Sequence, residues 1–237
     1  MSLSLCTIVW NEEALLGGML ESTLGLVDEY VLGIDSRTDD YTRVVASGVE
    51  ARLVPFVWQD NFAEARNRIL ERARGDWILA LDADERLMPH TLRTLADLLA
   101  DEIPLRVDGF RMLLLEGDSQ EWTAPRLFRN APDLRYVGRV HEEIRYLPDP
   151  PRTMSVKLDD GPHLVHLGRG HQERDRRLLH LRLRDNPNDA VAYCYLALMA
   201  RKAGRPLAAR TFARRALGCG PRTLHAERVA ELENFSR

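Results

Sequence analysis

The sequence predicts an α/β fold, a mostly parallel sheet covered on both faces, followed by a small all-α region. Three observations predict it. Strand-like and helix-like segments alternate through the first hundred residues. After Asp101 the helical pattern gives way to strands and loops broken by Pro and Gly. From Gln172 onward every segment has helical spacing. The expected units are therefore 1–170, itself split into 1–100 and 101–170, and 171–237.

Leu3 to Val9 is a mostly apolar run, as suits a strand buried on both faces, and it stops at Trp10-Asn11-Glu12-Glu13. Ala14 to Leu24 carries apolar residues at helical spacing. Tyr30 to Ile34 is the second strand, closed by Asp35-Ser36-Arg37-Thr38-Asp39-Asp40, with a helix after it. Ala51 to Val57 is the third. Phe62, Ala65, Ile69, Leu70 and Ala73 share one face of a helix over 62–73, and Gly75 reads as its C-cap. Trp77 to Leu81 is the fourth strand, and Pro89 to Leu99 a helix with Pro in its first turn. Gly109 to Leu115, Thr123 to Arg129, Tyr136 to Tyr146 and Met154 to Leu158 read as strands and loops that extend the sheet and wall one side of a cleft.

In the tail, Leu178 to Leu183 precedes a helix opened by Pro187-Asn188-Asp189-Ala190 and carrying Tyr193, Leu196, Ala197 and Met199. Ala203-Gly204-Arg205-Pro206 is a turn, and Ala209, Phe212, Ala213, Ala216 and Leu217 line the next helix. Pro187 and Pro221 stand 34 positions apart, the length of a tetratricopeptide repeat. Val229 to Phe235 follows as a flanking helix. A single repeat caps or stiffens a neighbour, because a peptide groove needs stacked repeats.

The chain of 237 residues is 45% hydrophobic and 29% charged, ordinary for a globular protein, with no apolar stretch of transmembrane length. Met-Ser-Leu-Ser-Leu-Cys lacks the basic start and apolar core of a signal peptide, so a cytoplasmic protein is expected. Cys6, Cys194 and Cys219 are far apart and read as free thiols, not as disulfides or zinc ligands. The net charge of −3 hides an asymmetry: acids outnumber bases 29 to 18 over 1–162, and bases outnumber acids 15 to 7 over 163–237. The basic tail lacks the interleaved aromatics of a nucleic-acid reader, so no nucleic-acid partner is expected. A solvated helical surface, a protein contact, self-association, or contact with the inner face of a membrane are the uses it leaves.

The most informative stretch is Gly75-Asp-Trp-Ile-Leu-Ala-Leu-Asp-Ala-Asp-Glu85. A buried strand runs out into three acids, and open parallel sheets hold their ligands at that edge. If the extended backbone continues, Asp82 and Asp84 point to the same side. Two such carboxylates repel unless a cation sits between them, and Mg²⁺ or Mn²⁺ bound to a diphosphate is the natural partner. The competing reading is a solvated turn or helix cap.

With Leu-Cys-Thr-Ile-Val-Trp-Asn-Glu-Glu (5–13), Asp-Ser-Arg-Thr-Asp-Asp-Tyr-Thr (35–42), Asn-Phe-Ala-Glu-Ala-Arg-Asn (61–67) and the 75–85 segment in this order, residues 3–100 resemble a family 2 glycosyltransferase with the A-type, Rossmann-like nucleotide-sugar fold. Pro-Arg-Leu-Phe-Arg-Asn through Gly-Arg-Val-His-Glu-Glu (125–143) resembles the acceptor side, and the remainder is similar to members with tetratricopeptide repeats. Arg37 and Tyr41 stand where relatives carry glycine.

The resemblance implies a metal-dependent, inverting transfer of a sugar from a nucleoside diphosphate, a UDP-sugar first. The acceptor would be a glycan, lipid carrier, peptide or small molecule, chosen by the loop from Glu116 to Trp122 and the helical tail. It implies donor nucleotide contacts at Thr7, Val9, Trp10, Asn11, Glu12, Asp35, Arg66, Asn67 and Asp82. For the metal it implies Asp82, Asp84 and His166, and for catalysis Glu142 as base beside His141. Simpler roles compete: helix capping for Asn11 and Glu12, a surface pair with Glu64 or Glu71 for Arg66, a structural imidazole for His166, and a charged strand face for 141–143. A nucleotidyltransferase of similar sheet, and an interaction protein working through its tail, are the alternative functions.

Overall fold

Four strands, β1 (Leu3–Val9), β2 (Glu29–Asp35), β3 (Ala51–Phe56) and β4 (Trp77–Ala80), lie parallel in the order β3-β2-β1-β4. The computed structural model describes residues 1–101, 103, 107–117, 120–146, 156–158, 161, 163–168, 171–220, 224 and 226–236. Successive side chains of β1, β2 and β4 enter two different cores. Leu3, Leu5, Leu32, Ile34, Trp77 and Leu79 join one cluster, and Cys6, Val31, Ile78 and Ala80 the other. Both faces of these strands are thus dry, which is why they read as apolar runs without alternation.

The first cluster is closed by α1 (Leu16–Glu21) and α4 (Pro89–Ala100), the second by α3 (Phe62–Leu70); α2 (Thr42–Ala46) lies between β2 and β3 in the chain. Asn61 caps α3 by accepting the Glu64 amide. α3 ends at Leu70, short of the expected Ala73, and Gly75 does not cap it. Gly75 is required for another reason: a Cβ there would lie 2.7 Å from the backbone nitrogen of Ser4, whose hydroxyl accepts the Gly75 amide. Gly33 is similar, since a Cβ would meet Ile69 at 2.7 Å and hold α3 off the sheet.

The second half turns the sheet antiparallel. β7 (Gln120–Arg129) runs opposite to both β4 and β6 (Gly109–Glu116), and β11 (Leu164–His166) joins β6 in parallel and β5 (Glu85–Leu87) antiparallel. β10 (Val156–Lys157) pairs with β6; residues 154 and 155 of the expected strand lie outside the described residues. The loop assigned to acceptor choice is the tip of the β6–β7 hairpin, of which 118 and 119 are also outside.

The segment expected as strands and loops over 136–146 resolves into two short strands, β8 (Leu134–Val137) and β9 (Glu143–Tyr146), paired from Leu134↔Tyr146 to Val137↔Glu143. Gly138 at φ 99° and His141 at φ 50° reverse the chain between them, so His141 and Glu142 do not alternate along a strand. Likewise β4 stops at Ala80, and Asp82 to Glu85 form a turn closed by the Glu85 amide donating to the Asp82 carbonyl. The strand alternation that would put both aspartates on one side therefore does not continue past Ala80.

The chain divides into 1–137 with 142–169, described above, and a helical unit of 138–141 with 170–237. The latter comprises α5 (Gln172–Asp185), α6 (Ala190–Lys202), α7 (Pro206–Gly218) and α8 (Ala226–Ser236). Asp189 caps α6, and Gly204 at φ 67° makes the turn into α7. Small residues Ala197, Ala213 and Ala216 let these helices approach closely around Cys194 and Leu232. Pro221, the second marker of the 34-residue spacing, lies outside the described residues. In the same unit Arg182 donates to the carbonyl of Val140 at 2.7 Å and pairs with Asp189, while the His141 ring stacks on Tyr195 at 3.5 Å. No helix among the described residues is long and apolar enough to cross a membrane.

Candidate functional site

The carboxyl ends of β1, β2 and β4 carry the residues the sequence singles out. Thr7 is fully buried and its hydroxyl donates to the Leu81 carbonyl, so it braces the acid turn; Val9 is buried in the core. Trp10, by contrast, is 52% exposed. Asn11, at φ 54°, donates to the Asp39 carboxylate and accepts the Asp39 amide; the Glu12 amide donates to the Thr42 hydroxyl. These bonds stitch the loop after β1 to the loop after β2, and neither Asn11 nor Glu12 is the N-cap of α1, which is Leu15 without a side-chain bond. Asp35 ends β2 with a buried carboxylate held by Arg37. Its burial pushes the carboxyl up, but the hydrogen bonds from Arg37 outweigh that and hold it below its ordinary range.

At the end of β4 five charged side chains form a relay of alternating sign. Arg66, 6% exposed, donates from Nε to Glu142 at 2.5 Å and from Nη2 to Asp82 Oδ1 at 2.6 Å. Arg126 continues it, from Nη2 to Asp82 Oδ2 at 3.2 Å and to Glu85 at 2.5 Å. Glu85 is fully buried and also accepts the Asp82 amide. Burial pushes Asp82 up, yet Arg66 and Arg126 together pull it far below the carboxylate range. For Glu85 burial wins over Arg126, and its carboxyl rises. Burial also lifts the Tyr136 phenol, whose ring lies 5.5 Å from the Arg66 guanidinium.

Asp84 faces elsewhere. Its Oδ2 lies 3.4 Å from His166 Nε2, and the Asp84 carbonyl accepts the Leu167 amide, which pins the end of β11 beside the turn. The hydrogen bond to Asp84, more than the opposing burial, raises the His166 pKa. Glu116 stands 4.0 Å from His166 Nδ1, and Trp122 meets the imidazole edge-on at 5.3 Å. Among the described residues no three His, Cys, Asp or Glu side chains form a ready-made metal cluster. Asn67 spends both ends of its amide on the backbone of Tyr136, at 2.9 Å each, so it fastens β8 to α3.

Four buried polar atoms here lack a hydrogen-bond partner: Arg66 Nη1, Arg126 Nε, the Tyr136 hydroxyl and His166 Nδ1. Unpaired buried polar atoms are costly, and these four gather around the acid turn at the end of β4. Arg126 and Tyr136 were missed as individual residues, although Arg126 lies inside the quoted 125–143 segment. Nothing in spacing alone shows that it answers Asp82. Arg37 was noticed only as a departure from the usual glycine, and its bond to Asp35 gave no signal in the sequence.

Residues 4–161 match Glycosyl transferase family 2. A TPR repeat-containing protein of Synechococcus elongatus is 34% identical over 199 residues, 79% of this chain and 49% of its own length. An uncharacterized glycosyltransferase of Rickettsia bellii is 29% identical over 126 residues, 51% of this chain and 40% of its own. The chain thus spans about half the length of these curated relatives, or less. Its fold is shared with S. aureus TarS 1–349 in complex with UDP-GlcNAc, at a TM-score of 0.55 and 14% identity over 99% of this chain and 79% of that one. The complex of TarS 1–349 with UDP gives 0.51 at 15% identity, over 94% and 74%. With the match running through most of its length, from β1 past β10, the chain belongs to glycosyl transferase family 2.

Proposed function

We propose that the chain is a metal-dependent inverting glycosyltransferase that takes its sugar from a nucleoside diphosphate, with a UDP-sugar as the first choice. The observation that carries this reading is the buried relay Glu142–Arg66–Asp82–Arg126–Glu85 set beside the Asp84–His166 pair at the carboxyl end of β4. It is supported by the UDP and UDP-GlcNAc bound in the structural neighbours, although those share only the fold.

The residues fit a divalent cation on Asp84 and His166. They offer one hard oxygen and one imidazole nitrogen side by side, and Mg²⁺ or Mn²⁺ sites of this sort take one or two protein ligands and complete their shell with phosphate oxygens. Once bound, the ion stabilises the charge left on the departing diphosphate. Beside the metal or ribose contact expected of it, Asp82 answers a guanidinium with each oxygen, so it also holds Arg66 and Arg126 in place. Their bare nitrogens, Arg66 Nη1 and Arg126 Nε, are matched to phosphate oxygens. Asp35 and the 10–12 loop take the nucleoside. Glu142, fixed by Arg66, takes the proton of the attacking acceptor, and His141, its plane set by Tyr195, orients a substrate hydroxyl. The helical unit is assigned to acceptor or partner contact.

Hydrolysis of a panel of nucleotide sugars without acceptor tests the reading. Turnover of a UDP-sugar with Mn²⁺, loss on adding EDTA, and a fall of about 100-fold in Asp84→Asn are expected. Turnover indifferent to EDTA would remove the metal, and no turnover of any donor would remove the activity.

A further inference from the structure

The carboxylate of Asp35 is 1% exposed and already engaged. Arg37 donates to it from its amide at 3.0 Å, from Nε at 3.1 and 3.2 Å, and from Nη2 at 2.5 Å. An ionised carboxylate offers about four lone-pair sites, and with three Arg37 donors on its two oxygens and its side chain 2% exposed, this one has little room for another partner while Arg37 stays. The same guanidinium lies over the Trp10 ring, 5.0 Å from its centroid. Arg37 therefore holds both features a nucleoside would use, an acceptor for its N–H or O–H groups and a flat face for its base.

Its own side chain lies at the surface. It is 50% exposed, belongs to a loop and not to the core, and feels the charge of Asp60, itself fixed by a 2.9 Å bond from the Trp58 indole. A guanidinium released from Asp35 has a second carboxylate to turn to. Resting on the reading of Asp35 and Trp10 as the nucleoside end of the donor site, we propose that Arg37 is a built-in competitor of the donor. It occupies the Asp35 carboxylate and the Trp10 face when the site is free, and it must swing out before a nucleoside can enter. The contact sets donor affinity and discriminates by chemistry. Only a ligand that brings both a hydrogen-bond-donating edge and a stacking ring replaces what the loop loses; a bare diphosphate or sugar phosphate does not.

The test is calorimetric titration of wild type, Arg37→Gly and Arg37→Gln with UDP and, separately, with inorganic pyrophosphate, each with Mn²⁺. UDP is expected to bind about five- to tenfold more tightly to both variants, the worth of a half-exposed ion pair with its cation–π contact. Pyrophosphate affinity should stay within about twofold, because it never meets Asp35. The glutamine variant, which keeps a polar arm over the buried carboxylate, guards against a folding defect of the glycine variant. Wild-type binding of UDP that is unchanged or weakened in both variants overturns this inference and leaves the donor reading standing. Absence of UDP binding in all three proteins overturns both.

Discussion

Glu142→Gln is expected to abolish sugar transfer, a loss of about 100- to 10,000-fold, while nucleotide affinity stays within a few-fold. The substitution is chosen for the geometry around Arg66. Glutamine keeps the carbonyl oxygen that Arg66 Nε bonds at 2.5 Å, so the guanidinium retains an acceptor and the loop after β8 keeps its anchor. What disappears is the ability to take up a proton, together with the negative charge facing Arg66. Donor affinity is then a built-in control, since the Asp82 side of Arg66 and the Asp84–His166 pair are untouched. Retained turnover would remove Glu142 from the role of base, and a parallel loss of UDP binding would mean that it acts through the relay instead.

Arg126→Ala is expected to cost about 3–5 kcal/mol of folding stability, the range for removing one partner of a buried ion pair. Arg126 answers Asp82 and the fully buried Glu85 at once, and without it Glu85 has lost its cation in a site where burial already pushes its carboxyl up. The double variant Arg126→Met with Glu85→Gln is expected to recover much of the loss, because it removes the stranded charge together with its partner. Urea unfolding of the wild type, Arg126→Ala and the double variant measures both statements. A loss below about 1 kcal/mol in Arg126→Ala would place the pair with weak surface bridges and deny the relay its structural role.

The parallel half of the fold was legible because its chemistry is local. Strands such as β1 and β4 lie between two dry layers, so their composition announces them, and the helices between them carry periodic apolar faces. The turn at Asp82 to Glu85 was not, since an acidic tripeptide looks the same whether it continues a strand or folds back. β5 and β11 escaped for their length: three residues each, held by pairing with one another and by the Leu167 amide on Asp84, contacts distant in sequence. Within the strands and loops expected over 136–146, the place where β8 turns into β9 was not legible, because Gly138 and His141 take left-handed backbone, which His141 gives no reason to expect.

The site was legible as a set of residue types and not as a set of partnerships. Asp82, Arg66 and Glu142 were each singled out, yet the sequence offered no sign that one guanidinium holds the other two, 16 and 76 positions away. Asp82, Asp84 and His166 were named for the metal; Asp84 and His166 stand side by side, while Asp82 pairs with Arg66 and Arg126. Thr7 and Asn67 lie beside the expected cleft but give their polar groups to the frame.

The most direct measurement is an anomalous-scattering map of crystals holding manganese and UDP. A manganese peak in contact with Asp84 and His166, with the diphosphate on its far side, is the predicted result. A map in which Asp84 stays paired to His166 with no manganese beside it, while UDP is bound, would contradict the account.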